Sequence, residues 1–172
     1  MRKFCIVFFL FVGTILPNKS FSQNEKFKAL FIYNFTKYIE WPADFSTGEF
    51  IIGVLGNSPI ITELETISDK RKVGNQTIVI QQYNSVGDIR KCHILYLPSG
   101  KSASLQEVLQ KLAPSTPTLV ITDSPGLASK GAAINFVLKG NHQEFEINTA
   151  ALETSKLKVN NTLLTLGTVV NK

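Results

Sequence analysis

Few residues of this 172-residue chain have the types and spacing that chemistry needs. Its histidines are His93 and His142, and its cysteines are Cys5 and Cys92. Cys92 and His93 are adjacent, and neighbours in a strand point to opposite faces, so they do not readily share a metal ion. With so few nitrogen and sulfur ligands a zinc centre is not expected. Gly100-Lys101-Ser102 resembles the tail of a phosphate-binding P-loop, but the first glycine of that motif would fall on Leu95. Gly53 and Gly56 do not complete a dinucleotide fingerprint, and no G-x-S-x-G elbow is present. Glu144 and Glu146 have a spacing compatible with paired carboxylates. They alternate with Phe145 and Ile147, however, as a solvated strand face does. No catalytic constellation results, so an enzyme and a cofactor are not expected.

Two polar features survive, and both depend on the elements around them. Phe50 to Leu55 (FIIGVL), Gln76 to Gln81, Cys92 to Leu97 and Thr118 to Thr122 are short apolar runs that read as buried strands. Helices are predicted between them, from Ser58-Pro59 to about Ser68 and from Ser102 to Leu112. Asp69 to Asn75 reads as a charged surface turn. Ala132 to Lys139 and Gln143 to Asn148 form an antiparallel hairpin through Gly140-Asn141. A short helix over Thr149 to Ser155 and an amphipathic helix over Asn160 to Val170 close the chain. Alternating strands and helices predict an α/β fold with right-handed crossovers. The expectation is a single three-layer domain with a mixed sheet of about six strands, four mainly parallel plus the hairpin, and about five helices.

If the four strands order as second, first, third, fourth, the sheet reverses between the first and third. The loops Gly56–Ser58 and Ser99–Lys101 then meet at a switch point, where such sheets bind ligands, with Asp123 close by. Asn57, Ser58, Ser99, Lys101, Asp123 and Ser124 are therefore candidate ligand-binding residues, and a cluster of helix caps and turns is the competing reading. The second feature is a set of amides within apolar patterns, Asn34, Asn135 and Asn148. Buried amides must be hydrogen-bonded, so these are expected to tie helix to sheet.

Phe27 to Trp41 (FKALFIYNFTKYIEW) packs six aromatic residues into one helical pattern that Pro42 closes. Phe27, Phe31, Phe35, Tyr38, Ile32 and Ile39 share one arc, which predicts a helix seeding the core. Lys28 projects into that apolar arc, while Tyr33 and Lys37 share the other face four residues apart. Tyr33, Lys37 and Trp41 are candidate partner-binding residues.

The first 22 residues read as a signal peptide, and 23–172 as the domain. Arg2 and Lys3 precede the apolar run Phe4 to Leu16, and Ser20-Phe21-Ser22 offers a cleavage site; the run is short for a membrane anchor. Removing Arg2, Lys3 and Lys19 brings the formal charge from +5 to near +2, so the basicity gives no reason to expect nucleic acid. Cleavage also removes Cys5. Cys92 then has no partner for an internal disulfide, and is either a small buried side chain or a free thiol that pairs between chains.

The stretch Lys28 to Pro42 resembles the opening signature of the YfiR-like family of bacterial periplasmic proteins. The similarity continues through Val54-Leu55-Gly56, Cys92 to Tyr96 and Thr122-Asp123. It is densest again over Gly131 to Asn148, and Leu163-Leu164 suits the family's closing helix. The resemblance implies a periplasmic regulator rather than an enzyme. Family members restrain a membrane-bound diguanylate cyclase through its periplasmic part, and so lower cyclic di-GMP and biofilm formation. It also implies release through an outer-membrane partner, and self-association. The resemblance also allows a sensing domain associated with a histidine kinase, and with the switch-point loops the alternative is a small-ligand-sensing periplasmic domain feeding such a kinase. Some members pair the cysteine at the Cys92 position with one in the first strand; this chain has Gly53 there and no later cysteine. Redox switching by an internal disulfide is accordingly not expected.

Overall fold

The computed structural model describes residues 19–112, 116–140 and 142–170, with side chains from Gln23 onward. The expected leader lies outside the described residues apart from Lys19–Ser22, which open helix α1 (Lys19–Phe35). The chain continues through β1 (Ile39–Glu40), β2 (Phe50–Leu55), α2 (Ile60–Ser68), β3 (Lys72–Val73) and β4 (Gln76–Tyr83). Then come β5 (Ile94–Leu97), α3 (Leu105–Leu112), β6 (Leu119–Thr122), β7 (Ile134–Lys139) and β8 (His142–Ile147). It ends in α4 (Thr149–Thr154), β9 (Lys158–Val159), α5 (Asn161–Leu166) and β10 (Thr168–Val169).

The large sheet has eight strands in the order β10-β8-β7-β6-β5-β2-β4-β3. Its centre, β4-β2-β5-β6, is parallel throughout and realises the order second, first, third, fourth. β7 joins β6 in parallel, and β8 folds back on β7 through the predicted hairpin. The sheet is larger than the six strands expected, because β3 and β10 are two-residue edges. β3 lies within the charged turn and pairs antiparallel with β4, its exposed Lys72 giving a short charged edge.

Alternation along the central strands divides the core. On one face Phe50, Ile52 and Val54 of β2 join Ile94 and Tyr96 of β5 beneath α1, α2, α4 and α5. On the other, Leu55, Leu95, Leu97 and Val120 pack against Leu105 and Val108 of α3. Cys92 belongs to the second cluster, whereas the His93 ring stacks on Phe50 of the first at 4.3 Å between ring centres. The two side chains do point to opposite faces. Cys92 is a free cysteine, fully buried, and burial pushes its thiol up to about 12, which suits the buried reading.

The aromatic stretch is not one helix. Three backbone bonds of the i to i−3 type, from Thr36 to Tyr33, Lys37 to Asn34 and Tyr38 to Phe35, tighten and end α1 at Phe35. Ile39 and Glu40 then pair antiparallel with Val159 and Lys158 of β9. Phe35 and Ile32 are buried as expected, but Phe27 is 48% exposed, its ring meeting that of the half-buried Phe31. The predicted closing helix is likewise two elements. α5 stops before Gly167, and β10 pairs in parallel with Glu146 and Ile147. At Gly167 an added Cβ would lie 2.5 Å from the Phe145 ring, so the chain there runs close against β8. The expected hydroxyl caps are absent too. Ser58 makes no side-chain cap bond at α2, and Ser102 lies inside a 3-10 turn, Ser99–Ser104, that leads into α3.

Candidate functional site

The sheet reversal sets β2 and β5 side by side, and their C-terminal loops lead away to opposite faces. Between them lies a cavity of about 500 Å³. Asn57, Ser58, Ser99, Lys101 and Asp123 line it, so the structure brings together five of the six residues assigned from sequence. Ser124 is set back and reaches the group through Ser102, whose Oγ lies 2.7 Å from the Ser99 carbonyl and 2.6 Å from Ser124 Oγ. The carbonyl only accepts, so Ser102 donates to it and Ser124 donates to Ser102.

Gly56 turns the chain out of β2 with φ of +80°, a left-handed conformation that glycine adopts without strain. An added Cβ there would meet the Lys101 side chain at 2.5 Å. The lysine stem therefore rests on this glycine, and the two loops close against each other.

The wall of the cavity is a buried ionic cluster. Lys28 of α1 donates from Nζ to Glu25 Oε1 at 2.9 Å and to Asp123 Oδ2 at 2.8 Å. The three side chains are 8%, 6% and 7% exposed, for Lys28, Glu25 and Asp123 respectively. Tyr96 of β5 also donates from its hydroxyl to Asp123 Oδ2, at 2.6 Å. Burial opposes the charge on Lys28, but the hydrogen bonds and attraction of Asp123 and Glu25 outweigh it and raise its pKa. Burial, followed by the Asp123 charge, raises the Tyr96 phenol, so Tyr96 remains a donor. Asp123 Oδ1 is sealed from bulk water and has no hydrogen-bond partner among the described residues. Such an unmet buried acceptor costs about 1–3 kcal/mol.

Glu25, Lys28 and Tyr96 were not assigned to the site from sequence. Lys28 left a signal, a charge on an apolar arc. Glu25 could have been found three residues before it, at the spacing of helix neighbours. Tyr96 lies within a continuous apolar run and left none. A second cavity of about 330 Å³ adjoins the cluster, lined by Lys28, Asp123, Phe136 and Glu146 among others.

Two of the three amides, Asn135 and Asn148, behave as structural ties, whereas Asn34 is only half-buried and accepts from its neighbour Lys37, so it does not tie helix to sheet. Asn135 accepts from Thr122 Oγ1 at 2.8 Å and donates to Glu146 Oε2 at 3.0 Å. Asn148 accepts from the Ala151 backbone as cap of α4 and donates to the Ala128 carbonyl at 2.7 Å. Glu146 is thereby bonded inward, while Glu144 pairs with Lys139 at the surface. His93 is locked as well. Its Nδ1 accepts from the Ile51 N–H at 3.0 Å, so Nε2 carries the hydrogen and donates to the Phe45 carbonyl at 2.8 Å.

The partner-binding candidates divide. Lys37 Nζ lies 5.0 Å from the centre of the Tyr33 ring and 2.9 Å from Asn34 Oδ1, so these two side chains meet although Lys37 is past the helix end. Trp41 is separate from them: its ring meets Phe50 edge-on and its indole N–H donates to the His93 carbonyl. Among the described residues, no group of three or more His, Cys, Asp or Glu is placed to hold a metal ion.

A parallel α/β core with a polar cavity at the point where its strand order reverses places the chain among open-sheet α/β domains. The chain belongs to the YfiR/HmsC-like family, whose model matches residues 25–168. That family comprises periplasmic regulators of cyclic di-GMP signalling. No curated protein matches the chain.

Proposed function

We propose that this protein is a non-enzymatic periplasmic regulator that binds and restrains an inner-membrane signalling protein, of the diguanylate cyclase kind that controls cyclic di-GMP and biofilm formation. The family match over residues 25–168 carries the reading. The outer side of α1 supports it. Phe27 and Leu30 are 48% and 49% exposed, and Asn34, Tyr33 and Lys37 continue the same strip at three- and four-residue spacing. A helix needed only for packing does not require this second, partly aromatic side.

The test is deletion of the gene with return of either the wild type or Tyr33→Ala/Lys37→Ala. Cellular cyclic di-GMP rises on deletion, the wild type restores it, and the double variant restores it incompletely at equal protein level. Unchanged cyclic di-GMP on deletion, together with no signalling protein recovered from cross-linked membranes, refutes the proposal. An outer-membrane partner and a homodimer would appear in the same cross-linking experiment.

A second reading, a small-ligand sensor that feeds a histidine kinase, is favoured by the cavity at the switch point. A ligand that binds only the folded state raises its apparent stability. A metabolite library that produces no thermal shift counts against this reading.

A further inference from the structure

The Asp123 carboxylate is bonded on one side only. Lys28 Nζ and Tyr96 Oη both converge on Oδ2, while Oδ1 has no partner among the described residues. The charges are unequal as well. Glu25 and Asp123, both more than nine-tenths buried, face the single ammonium of Lys28. The cluster thus lacks one hydrogen-bond donor and one positive charge, and it lines a cavity large enough for a small molecule.

We infer that the switch-point cavity takes a small ligand carrying a primary ammonium group, which donates an N–H to Asp123 Oδ1. The inference rests on the ligand-sensing reading above and adds the chemistry of the ligand. Oδ1 is sealed as it stands, so the ligand reaches it only as the carboxylate turns about its soft terminal torsion, with Lys28 and Tyr96 following Oδ2. An ammonium supplies both missing quantities. A hydroxyl supplies the donor without the charge, a quaternary amine supplies the charge without the donor, and an acid is repelled by two carboxylates. Free amino acids and polyamines share the ammonium, and Lys101, which lines the same cavity, distinguishes them. Its charge attracts the carboxylate of an amino acid and repels the second ammonium of a polyamine.

The experiment is thermal shift followed by calorimetric titration of the purified exported chain. The probes are the twenty L-amino acids, putrescine, cadaverine and spermidine, with N-acetylated and N-trimethylated forms of any that bind. At least one amine binds, and both blocked forms bind at least tenfold more weakly. Asp123→Asn weakens binding at least tenfold. Because that change also disturbs Lys28, Gly100→Trp serves as a second variant. Gly100 is an exposed residue of the cavity lining with no atom within 4 Å of an added Cβ, so an indole is accommodated at the cavity mouth without displacing packed atoms. It too abolishes binding. Lys101→Met weakens an amino acid and spares or strengthens a polyamine.

Full binding by Gly100→Trp places the ligand elsewhere and overturns the site. Equal binding of a trimethylated form overturns the bond to Oδ1. If acids or neutral metabolites bind and no amine does, the ammonium is wrong and the sensor reading stands. Silence across amines and a general metabolite library together overturns both.

Discussion

Removing the Lys28 ammonium tests the ionic cluster directly. Lys28→Met keeps most of the apolar stem and leaves Glu25 and Asp123 facing each other without a cation, although both are more than nine-tenths buried. Breaking a buried pair by deleting one partner costs about 3–5 kcal/mol. Here the lower end, about 3 kcal/mol, is expected, because the adjoining cavity lets water approach the two carboxylates once the lysine is gone. With a urea slope of about 2 kcal/mol/M, that moves the unfolding midpoint down by about 1.5 M. Urea melts followed by circular dichroism at pH 7 give the value. Adding Asp123→Asn to Lys28→Met removes one of the stranded charges, so the double variant is more stable than the two single losses summed, with a coupling of about 1–3 kcal/mol. The lysine pKa is raised, so its stabilising contribution is complete below 10.5 and fades only as pH climbs through the raised value. A loss below 1 kcal/mol, or strict additivity, would show that the cluster is not the buried network described.

Other outcomes follow from the same packing. Phe35→Ala costs about 3–5 kcal/mol, since Phe35 is 1% exposed and packs on both Phe136 and Phe145. Tyr33→Ala/Lys37→Ala leaves the melting temperature nearly unchanged and weakens partner regulation; equal destabilisation of both variants would make the α1 strip scaffold alone. Burial, only partly opposed by the Phe45 carbonyl, holds the His93 pKa below 6.5. The unfolded chain therefore takes up the proton first, and the stability present above pH 6.5 falls as pH drops toward the lowered value. Thermal melts from pH 7.5 to 5 show a smaller decline for His93→Gln than for the wild type. Gly53→Cys costs about 1–3 kcal/mol by overpacking, because an added Cβ would stand 2.5 Å from the Tyr83 ring. Urea melts under reducing conditions measure it.

The central order of strands was legible because four apolar runs alternated with helices, and right-handed crossovers leave few ways to join them. That order alone brought Asn57, Ser58, Ser99, Lys101 and Asp123 to one cavity. The end of α1 was not legible. Apolar spacing continued past Phe35 to Trp41, and the strand that captures Ile39 and Glu40 is Lys158–Val159, far away in the chain. Local periodicity carries no information about such a partner. Thr168 and Val169 were absorbed into a helix for the same reason, although Gly167 marks the break. At the site, a lysine on the apolar arc could be seen, and Glu25 at helix spacing before it, but not its pairing with Asp123. Asp123 lies 95 residues away in the chain, after β6, where local spacing carries no information.

The contact between Lys28 and Asp123 joins residues 95 positions apart. Loop closure over that span is unfavourable until other contacts have paid for it, so α1 cannot be seated by its ion pair before β6 has entered the sheet. In chain order the charged and aromatic residues of α1 come first, and their partner Asp123 follows only after β6. A chain truncated before β6 would lack Asp123, Phe136 and Phe145, and so leave Lys28 and Phe35 without these partners. Completion of the cluster therefore requires β6, so a chain whose switch-point cavity is complete has already assembled its central sheet.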